Sequence, residues 1–349
     1  MSIDGALSIL VVIPTLNEDS TIEGVIGTLA QDWPTPHRVR FVVADGGSTD
    51  GTVERVQRMA ESRPWLSLLA NPKRIQSAAV NLAVRLHGHD AAILVRCDAH
   101  ADYPQGFVRS LVQTLERTGA DAVVVPMDSQ GHNCMQRAVA WVSDSIVGSG
   151  GSAHRGGRRS GEVDHGHHAA FRMASFVRAG GYDESFTHNE DAELDCRQRA
   201  LGSRIYLDSA LRVGYHPRST LLSLWRQYFN YGKGRARTVR KHPGSMRLRQ
   251  LAVPAFWSAN VLALLASPWA PWLLLLPLFY ATVLGTVSVR IAIKNQSACG
   301  LLAGAGAATM HAAWAAGFLW SWATWRQPRW SPAGATPLVP EPHPPECRP

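Results

Sequence analysis

Short apolar runs alternate with amphipathic stretches along the first third of the chain. Leu7–Pro14 is almost entirely apolar and rich in β-branched residues, which is typical of a strand buried on both faces. A helix is predicted from about Ser20 to Gln31, because the apolar side chains from Ile22 to Leu29 recur at helical spacing. Further strands are predicted at Val39–Ala44, Leu66–Ala70, Ala91–Arg96 and Ala122–Val125, and helices at Asp50–Arg63, Ile75–Leu86 and Gly106–Arg117. This alternation predicts an α/β fold with a mostly parallel central sheet.

The pattern changes after residue 148. Ser149–Ser160 is rich in Gly, Ser and Arg without periodicity, which predicts a loop. Helices are predicted at Ala174–Ala179 and Ala192–Ala200, and Leu221–Lys241 has the pattern of a long amphipathic helix rich in Arg and Tyr.

Three apolar segments follow, at Leu251–Ala266, Trp272–Val289 and Leu301–Trp325. A bilayer core needs about 20 helical residues, so the first two segments are short alone and fit a helical hairpin over 251–289. The third is long enough to cross, but Arg326 and Arg329 would then lie outside the cell, so a re-entrant or interfacial helix is the alternative. A buried helical hairpin without any membrane also remains open.

Charge is distributed unevenly along the chain, whose formal net charge is +8. Residues 204–249 carry eleven Lys and Arg side chains against one acid, Asp208, and no charged side chain occurs in 251–289. A nucleic-acid binder could use such a basic block against phosphates. Its position directly before an apolar stretch instead indicates an anionic membrane surface on the cytoplasmic side. We therefore expect a membrane, and no nucleic acid, as partner.

Compartment and domain boundaries follow from the same patterns. The five cysteines are scattered and show no metal-ligand spacing, which indicates a reducing compartment, and the N-terminus has no signal-peptide pattern. We expect a cytoplasmic α/β domain over 1–245, a membrane region over 246–325 and a disordered Pro-rich tail over 326–349. The expected location is the inner cell membrane, with more than one crossing.

Two polar motifs directly follow predicted buried strands, where open α/β sheets bind ligands. The first is DGGSTD at 45–50, in which Asp45 could accept hydrogen bonds from a nucleotide and Gly46 would allow close approach. The alternative is an ordinary turn with a helix N-cap. The second is Asp98-Ala99-His100, which pairs a carboxylate with a second metal-capable side chain, as a divalent cation on a pyrophosphate requires. Its alternative is simple loop polarity.

Two further motifs lie in the second half of the predicted α/β domain. Glu190-Asp191 enters a helix after a glycine turn, where one carboxylate could act as a general base, or where acids simply favour a helix N-terminus. The run His165–His168 predicts a polar pocket wall rather than zinc, because no Cys or paired His lies at helical spacing nearby.

The last motif lies just before the apolar segments. Gln227–Arg235 alternates basic and aromatic side chains, and could hold an anionic lipid-linked acceptor, a diphosphate or membrane headgroups.

Together and in this order, these residues resemble the family 2 glycosyltransferases, which have the GT-A fold, over roughly residues 7–245. The segment Val12–Glu18 resembles that family's first strand and nucleotide loop, and the DGGSTD run resembles its nucleotide-contacting segment. Asp98-Ala99-His100 falls at the metal-binding D-x-D and Glu190-Asp191 at the acidic pair containing the catalytic base. A narrower resemblance, to exopolysaccharide glucosyltransferases of the succinoglycan type, rests on Cys97–Ala101, Val163–His168 and Tyr228–Ala236.

The resemblance implies an inverting transfer of one sugar, glucose from UDP-glucose, to a polyprenyl-diphosphate-linked oligosaccharide, with Asp191 as base and Glu190 beside it. It implies Mg²⁺ or Mn²⁺ at Asp98 and His100, and acceptor contacts at His167 and His168. The implied donor-binding residues are Pro14, Thr15, Asn17, Glu18, Asp45, Gly46, Asp98, Gln227 and Arg235.

Two departures from the family pattern bear on these expectations. His100 replaces the second Asp of the D-x-D, which puts one metal contact in doubt. The Gln227 motif lacks the Arg-Trp ending of processive synthases, which favours the addition of one sugar. The alternatives are a polyprenyl phosphate or glycolipid acceptor and, from another class, a catalytically degenerate membrane scaffold.

Overall fold

The structure is a computed structural model that describes residues 8–31, 38–150 and 159–340 of the 349-residue chain. The side chains of Ser149, His168 and Arg249 lie outside this description. Most of the predicted loop 149–160, and residues 341–349 of the predicted tail, therefore fall outside the described residues.

Strands and helices alternate as the apolar pattern predicts. The strands are Ile9–Thr15 (β1), Val39–Asp45 (β2), Leu66–Ala70 (β3), Ile93–Arg96 (β4), Ala122–Val125 (β5), Met127–Ser129 (β6), Gly161–Glu162 (β7), His167–Arg172 (β8), Ile205–Leu207 (β9) and Val213–Tyr215 (β10). The α-helices are Ile22–Ala30 (α1), Thr52–Glu61 (α2), Gln76–His87 (α3), Phe107–Thr118 (α4), Cys134–Ser143 (α5), Ile146–Ser149 (α6), Met173–Arg178 (α7), Glu190–Ala200 (α8), Leu221–Lys241 (α9), Leu248–Ala266 (α10), Leu275–Lys294 (α11) and Ala303–Thr324 (α12).

Eight of the described strands form one sheet in the order β3-β2-β1-β4-β8-β5-β9-β7. The pairs β1–β2, β1–β4, β2–β3 and β5–β9 are parallel, so the mostly parallel sheet is confirmed. Strand β8 runs antiparallel to both of its neighbours, β4 and β5. The sequence did not predict this strand, because its first two residues are histidines and the run is short. The insertion of β8 brings His167 to the sheet edge at which β4 ends.

The chain divides into two compact units. The sheet unit comprises Met1–Met127, Gly157–Gly214 and Trp330–Pro349, and the helical unit comprises Asp128–Gly156 and Tyr215–Arg329. In the sheet unit, β1 is buried on both faces: Val11 and Ile13 pack in the cluster with α1 and α4, whereas Leu10 and Val12 pack in the cluster with α3 and α7. Burial on both faces explains why the strand is apolar at successive positions.

In the helical unit, α12 packs closely along α9. A β-carbon at Gly232 of α9 would collide with the Trp314 carbonyl, and one at Gly317 of α12 would collide with the Phe229 carbonyl. Small side chains therefore permit this approach. Much of α12 is buried, including Ala307, Met310 and Ala313, so the third apolar segment packs against protein along much of its length.

One helical segment among the described residues, Pro271–Lys294, is long and apolar enough to cross a membrane. Its most apolar stretch has a mean hydropathy of 1.9, and only 11% of that stretch is buried. Gln250–Ala266 is apolar but shorter. Length and composition thus identify one candidate span in the described part of the chain.

Leu338 lies within the segment 326–349 that the sequence predicts to be a disordered tail. This side chain is buried in the sheet unit, in the same apolar cluster as Tyr182 and Phe176, and its N–H donates to the Val177 carbonyl at 2.9 Å. A Pro-rich composition predicts little regular structure. It does not reveal that one leucine within it fits an apolar site elsewhere on the chain.

The scattered cysteines were interpreted as a sign of a reducing compartment, but two of them are paired. Cys134, at the start of α5, forms a disulfide with Cys299, 165 residues later, and both belong to the helical unit. Cys97 and Cys196 are not part of a disulfide. Spacing could not predict this pair, because two cysteines so far apart in the chain are joined only by the packing of the helices between them.

Breaking this disulfide should lower the thermal stability of the purified protein. Cross-linking a loop of this length restricts the unfolded chain, an effect of about 4–5 kcal/mol in the chain-entropy treatment. We expect Cys134→Ser to melt at a lower temperature than the unreduced wild type, followed by tryptophan fluorescence.

The matched control is Cys196→Ser, which should melt like the wild type. Reductant should lower the melting temperature of the wild type to that of Cys134→Ser and leave that variant unchanged. An unreduced wild type that melts with Cys134→Ser would show that the bond does not form.

Candidate active site

A polar cleft lies where β1, β2 and β4 end. Parallel pairing aligns Thr15 with Asp45, and the chain following β4 reaches the same edge of the sheet. The cleft has a volume of about 170 Å³, and the predicted residues that line it are Pro14, Thr15, Glu18, Gly46, Asp98 and His100. Arg74 and Gln76, which the sequence did not suggest, also line it. Ligands in open α/β sheets bind at this edge.

The DGGSTD loop is held by hydrogen bonds from its own residues and from the β1 loop. Asp45 Oδ2 accepts from the N–H groups of Gly47 at 2.8 Å and Ser48 at 3.0 Å. Asn17 donates its N–H to Ser48 Oγ and accepts from the Thr49 N–H, both at 2.8 Å. Asp45 and Asn17 thus shape the loop, and Gly46 presents its backbone to the cleft. The donor-binding roles of Asp45 and Asn17 stay predictions.

Arg96, the last residue of β4, joins the two acidic motifs. Its Nη1 donates to both carboxylate oxygens of Asp191, at 2.8 and 3.0 Å, and its Nη2 donates to Asp98 Oδ1 at 3.0 Å. Arg96 is only 5% exposed. The sequence analysis missed it, although a charged residue ending a strand buried on both faces was an available signal, because buried arginines are almost always paired.

Other side chains complete this cluster. Tyr182 donates its hydroxyl to Asp191 Oδ1 at 2.9 Å, and Gln76 donates to Asp98 Oδ1 at 3.0 Å. The His167 ring lies between the acids, with Nε2 3.4 Å from Asp98 Oδ2 and Nδ1 3.7 Å from Asp191 Oδ2. The structure thus brings Asp98, Asp191 and His167 together. The predicted partner His168 lies in β8, but its side chain is outside the described structure.

Burial and opposite charges set the protonation states of this cluster. Burial opposes the charge of Arg96, but Asp191 and Asp98 hold the pKa of its guanidinium well above the usual value. Burial alone would raise the pKa of Asp98, yet Arg96 and His167 keep it well below its usual range. Burial, with the neighbouring Asp191 charge, raises the pKa of Glu190 to about 7. Burial likewise raises the pKa of Tyr182, so its phenol remains a hydrogen-bond donor.

The donors in the cleft fit a divalent cation carried in with a diphosphate. Asp98 and His100 both line the cleft, and His100 Nδ1 lies 2.8 Å from Glu18 Oε1. No group of three or more His, Cys, Asp or Glu side chains suited to a metal occurs within residues 8–31, 38–150 and 159–340. A cation held by one or two protein ligands completes its shell with substrate phosphates and water, as Mg²⁺ commonly does.

The remaining predicted donor contacts, Gln227 and Arg235, lie on α9 in the helical unit. Gln227 Nε2 donates to the Tyr215 hydroxyl at 2.8 Å, and Arg235 Nη2 donates to the Ser245 carbonyl at 3.1 Å. Both side chains therefore have partners within their own unit. Their roles toward a donor stay predictions.

Comparison with known sequences gives one family match and two relatives. The sequence profile of glycosyl transferase family 2 matches residues 10–178. The chain is 44% identical to the succinoglycan biosynthesis protein ExoA of Rhizobium meliloti, over 89% of this chain and 94% of that protein. It is 24% identical to a dolichyl N-acetyl-α-D-glucosaminyl phosphate diacetamido-dideoxy-glucuronosyltransferase of Methanococcus voltae, over 67% of this chain and 74% of that protein.

Among solved structures, the chain resembles the mannosyltransferase PcManGT of Pyrobaculum calidifontis, in complex with GDP-Man and Mn²⁺. The TM-score is 0.57 at 20% identity, over 92% of this chain and 90% of that one. It also resembles GalNAc-T7 with UDP, GalNAc and Mn²⁺, with a TM-score of 0.50 at 15% identity, over 68% of this chain and 48% of that one. These likenesses concern the fold, and they confirm the expected GT-A architecture. The chain belongs to glycosyl transferase family 2, and it is a glycosyltransferase.

Proposed function

We propose that this enzyme adds one glucose residue from UDP-glucose to a polyprenyl-diphosphate-linked oligosaccharide during exopolysaccharide synthesis. The observation that carries the proposal is the shared anchoring of Asp98 and Asp191 on Arg96, beside a cleft at the strand ends. This shared anchoring keeps a candidate metal ligand, Asp98, and a candidate base, Asp191, at a fixed separation. The name of the Rhizobium relative, 44% identical, supports the pathway class.

The transfer follows from the roles of these side chains. Asp191 takes the proton of the acceptor hydroxyl as the acceptor oxygen forms a bond to the anomeric carbon. The bond from that carbon to the diphosphate breaks, and the configuration inverts. Arg96 and Tyr182 hold the Asp191 carboxylate in one orientation through their hydrogen bonds. Such orientation contributes to the rate because the reacting atoms must be aligned.

Asp98 and His100 would hold Mg²⁺ or Mn²⁺ with the donor diphosphate. The cation would neutralise the charge that develops on the leaving nucleotide. Thr15, Glu18 and Gly46 line the same cleft and would contact the nucleotide.

A lipid-linked acceptor is supported by the helical unit. An apolar groove of about 350 Å³ lies between α10 and α12, lined by Leu251, Pro254, Ala255, Ser258, Phe318, Leu319 and Trp322. Near its end, the Arg240 guanidinium stacks over Trp322 at 4.5 Å, and that of Arg237 stacks over Trp325 at 4.6 Å. An apolar groove beside cations suits a lipid chain that ends in phosphate.

The alternative acceptor is a polyprenyl phosphate or a glycolipid precursor. The name of the Methanococcus relative, which contains a dolichyl phosphate-linked sugar, favours it. The mass of the product distinguishes a polyprenyl diphosphate acceptor from a polyprenyl phosphate acceptor, because the product of the latter has one phosphate fewer.

We also propose a multi-pass inner-membrane protein with a cytoplasmic catalytic domain over 1–245 and a membrane region over 246–325. The exposed side chains of Leu262, Leu265, Leu275 and Phe279 on α10 and α11 support this location. Trp269, between these helices, is 84% exposed and would lie at the far side of the membrane.

Asp191→Asn should lower transfer by about 10²–10⁴-fold, because the amide keeps the shape of the side chain and loses the basicity. Transfer is measured with radiolabelled UDP-glucose and lipid extract, and donor binding by calorimetry should be largely kept. Asp164→Asn, at a half-exposed acid that pairs with Arg199, is the matched control and should behave like the wild type. Near-normal turnover of Asp191→Asn would exclude it as base and leave Glu190 as the next candidate.

Loss of a residue that only hydrogen-bonds to a metal ligand typically lowers metal affinity by about 10–100-fold. Asp98→Asn changes a proposed ligand itself, so it should weaken Mn²⁺-dependent binding of UDP-glucose by more than that. Chelator should reduce wild-type binding to the same level. The control is Asp90→Asn, at a carboxylate that is 77% exposed and precedes β4. Full-rate transfer in chelator would contradict the cation assignment, and Arg74, which lines the cleft, would then have to stabilise the leaving group.

Cysteine labelling tests the crossing of α10 and α11. In spheroplasts, a membrane-impermeant maleimide should label Trp269→Cys, whereas Lys294→Cys should react only after permeabilisation. The reason is that a hairpin across the bilayer exposes its tip and hides its basic end from the outside. Protection of both cysteines in intact spheroplasts would instead indicate a protein bound to the inner surface.

A further inference from the structure

The segment Thr336–Leu338, which we call the strap, lies in the sheet unit although it follows all the apolar helices in the chain. Leu338 is 7% exposed and its N–H donates to the Val177 carbonyl at the end of α7, at 2.9 Å. The adjacent Val339 is 72% exposed. Of these two neighbouring apolar residues, only Leu338 is buried, which indicates a specific contact with the sheet unit.

The strap covers the glycine turn that precedes the acidic motif. Gly180 and Gly181 have φ angles of +83° and +66°, which side chains rarely adopt. A β-carbon at Gly180 would lie 2.7 Å from the Thr336 carbonyl oxygen, and one at Gly181 would lie 2.9 Å from Leu338 Cδ2. The turn can therefore accept the strap only because both residues lack side chains.

The glycine turn also positions Tyr182. The Tyr182 N–H donates to Asn81 Oδ1 at 2.9 Å, and Asn81 Nδ2 donates back to the Tyr182 carbonyl at 2.8 Å. The Tyr182 ring packs in the same apolar cluster as Leu338, and its hydroxyl donates to Asp191 Oδ1 at 2.9 Å. A continuous series of contacts thus leads from the strap to Asp191.

We propose that Leu338 is a positioning residue for sugar transfer. By pressing the Gly180–Tyr182 turn against α3, the strap fixes the Tyr182 hydroxyl on Asp191 and so orients its carboxylate. Leu338 acts only through this turn and contacts no substrate. The inference rests on the proposed role of Asp191 as the base.

The test is a double-mutant cycle in the full-length protein between Leu338→Ala and Tyr182→Phe. Each single change should lower kcat by about 10-fold or more, because small displacements of a reacting group are costly. The KM for UDP-glucose should stay within about twofold, since the donor cleft is unchanged. If the strap acts through Tyr182, Leu338→Ala should lower kcat by less than about twofold in the Tyr182→Phe background.

Two matched variants accompany the cycle. Val339→Ala removes the exposed neighbour and should leave kcat unchanged, whereas Leu338→Met keeps the volume of the side chain and should restore most of the activity. Hydrogen exchange should become faster at the Gly181 and Tyr182 amides in Leu338→Ala and stay unchanged in β1. These readouts separate a local effect on the turn from a general loss of folded protein.

If the losses of kcat in the two single variants multiply in the double variant, the inference is overturned. Such independence is expected when Leu338→Ala merely reduces the fraction of folded enzyme, which lowers kcat regardless of Tyr182. Unchanged kcat in Leu338→Ala would overturn it as well. Failure of the proposed base is recognised separately, by normal turnover of Asp191→Asn. If Asp191→Asn loses turnover but the effects of Leu338→Ala and Tyr182→Phe on kcat are independent, only the role of the strap is rejected.

Discussion

The buried guanidinium of Arg96 is the interaction on which the site depends. An arginine that is 5% exposed requires counter-charges, because an unpaired charge in the interior costs several kcal/mol. Asp98 comes from the loop after β4 and Asp191 from the first turn of α8, so one cation fixes two segments that are distant in sequence. The planar fork of arginine can bind both carboxylates at once, whereas the compact ammonium group of lysine could not reproduce this geometry. Removal of Arg96 would leave two like charges facing each other.

The two neighbouring carboxyl groups at the start of α8 occupy different environments. Asp191 accepts hydrogen bonds from Arg96 and Tyr182, whereas burial and the Asp191 charge raise the pKa of Glu190 to about 7. One acid is thus held by fixed donors, and the other exchanges its proton near neutral pH. Adjacent titratable groups in contrasting environments are typical of sites that move protons.

Local patterns in the sequence predicted β1, β2 and β4 and placed the cleft at their ends, because strands buried on both faces are uniformly apolar. Features that depend on distant partners were not predictable. The role of Arg96 requires the position of α8, the antiparallel strand β8 begins with histidines, and Cys134 meets Cys299 only through helix packing. Apolar composition also could not distinguish lipid contact from protein contact. Both α12 and α11 are apolar, yet α12 packs closely along α9 whereas α11 is largely exposed.

The burial of Leu338 has a consequence for biosynthesis. Domains generally fold as units from the N-terminus while the ribosome extends the chain. Here the sheet unit includes a core side chain that is translated after α10, α11 and α12. A nascent chain that has already formed β1–β10 therefore still lacks one part of its own core until the apolar helices have left the ribosome. The order of residues along the chain thus places completion of the sheet unit after the synthesis of the apolar helices.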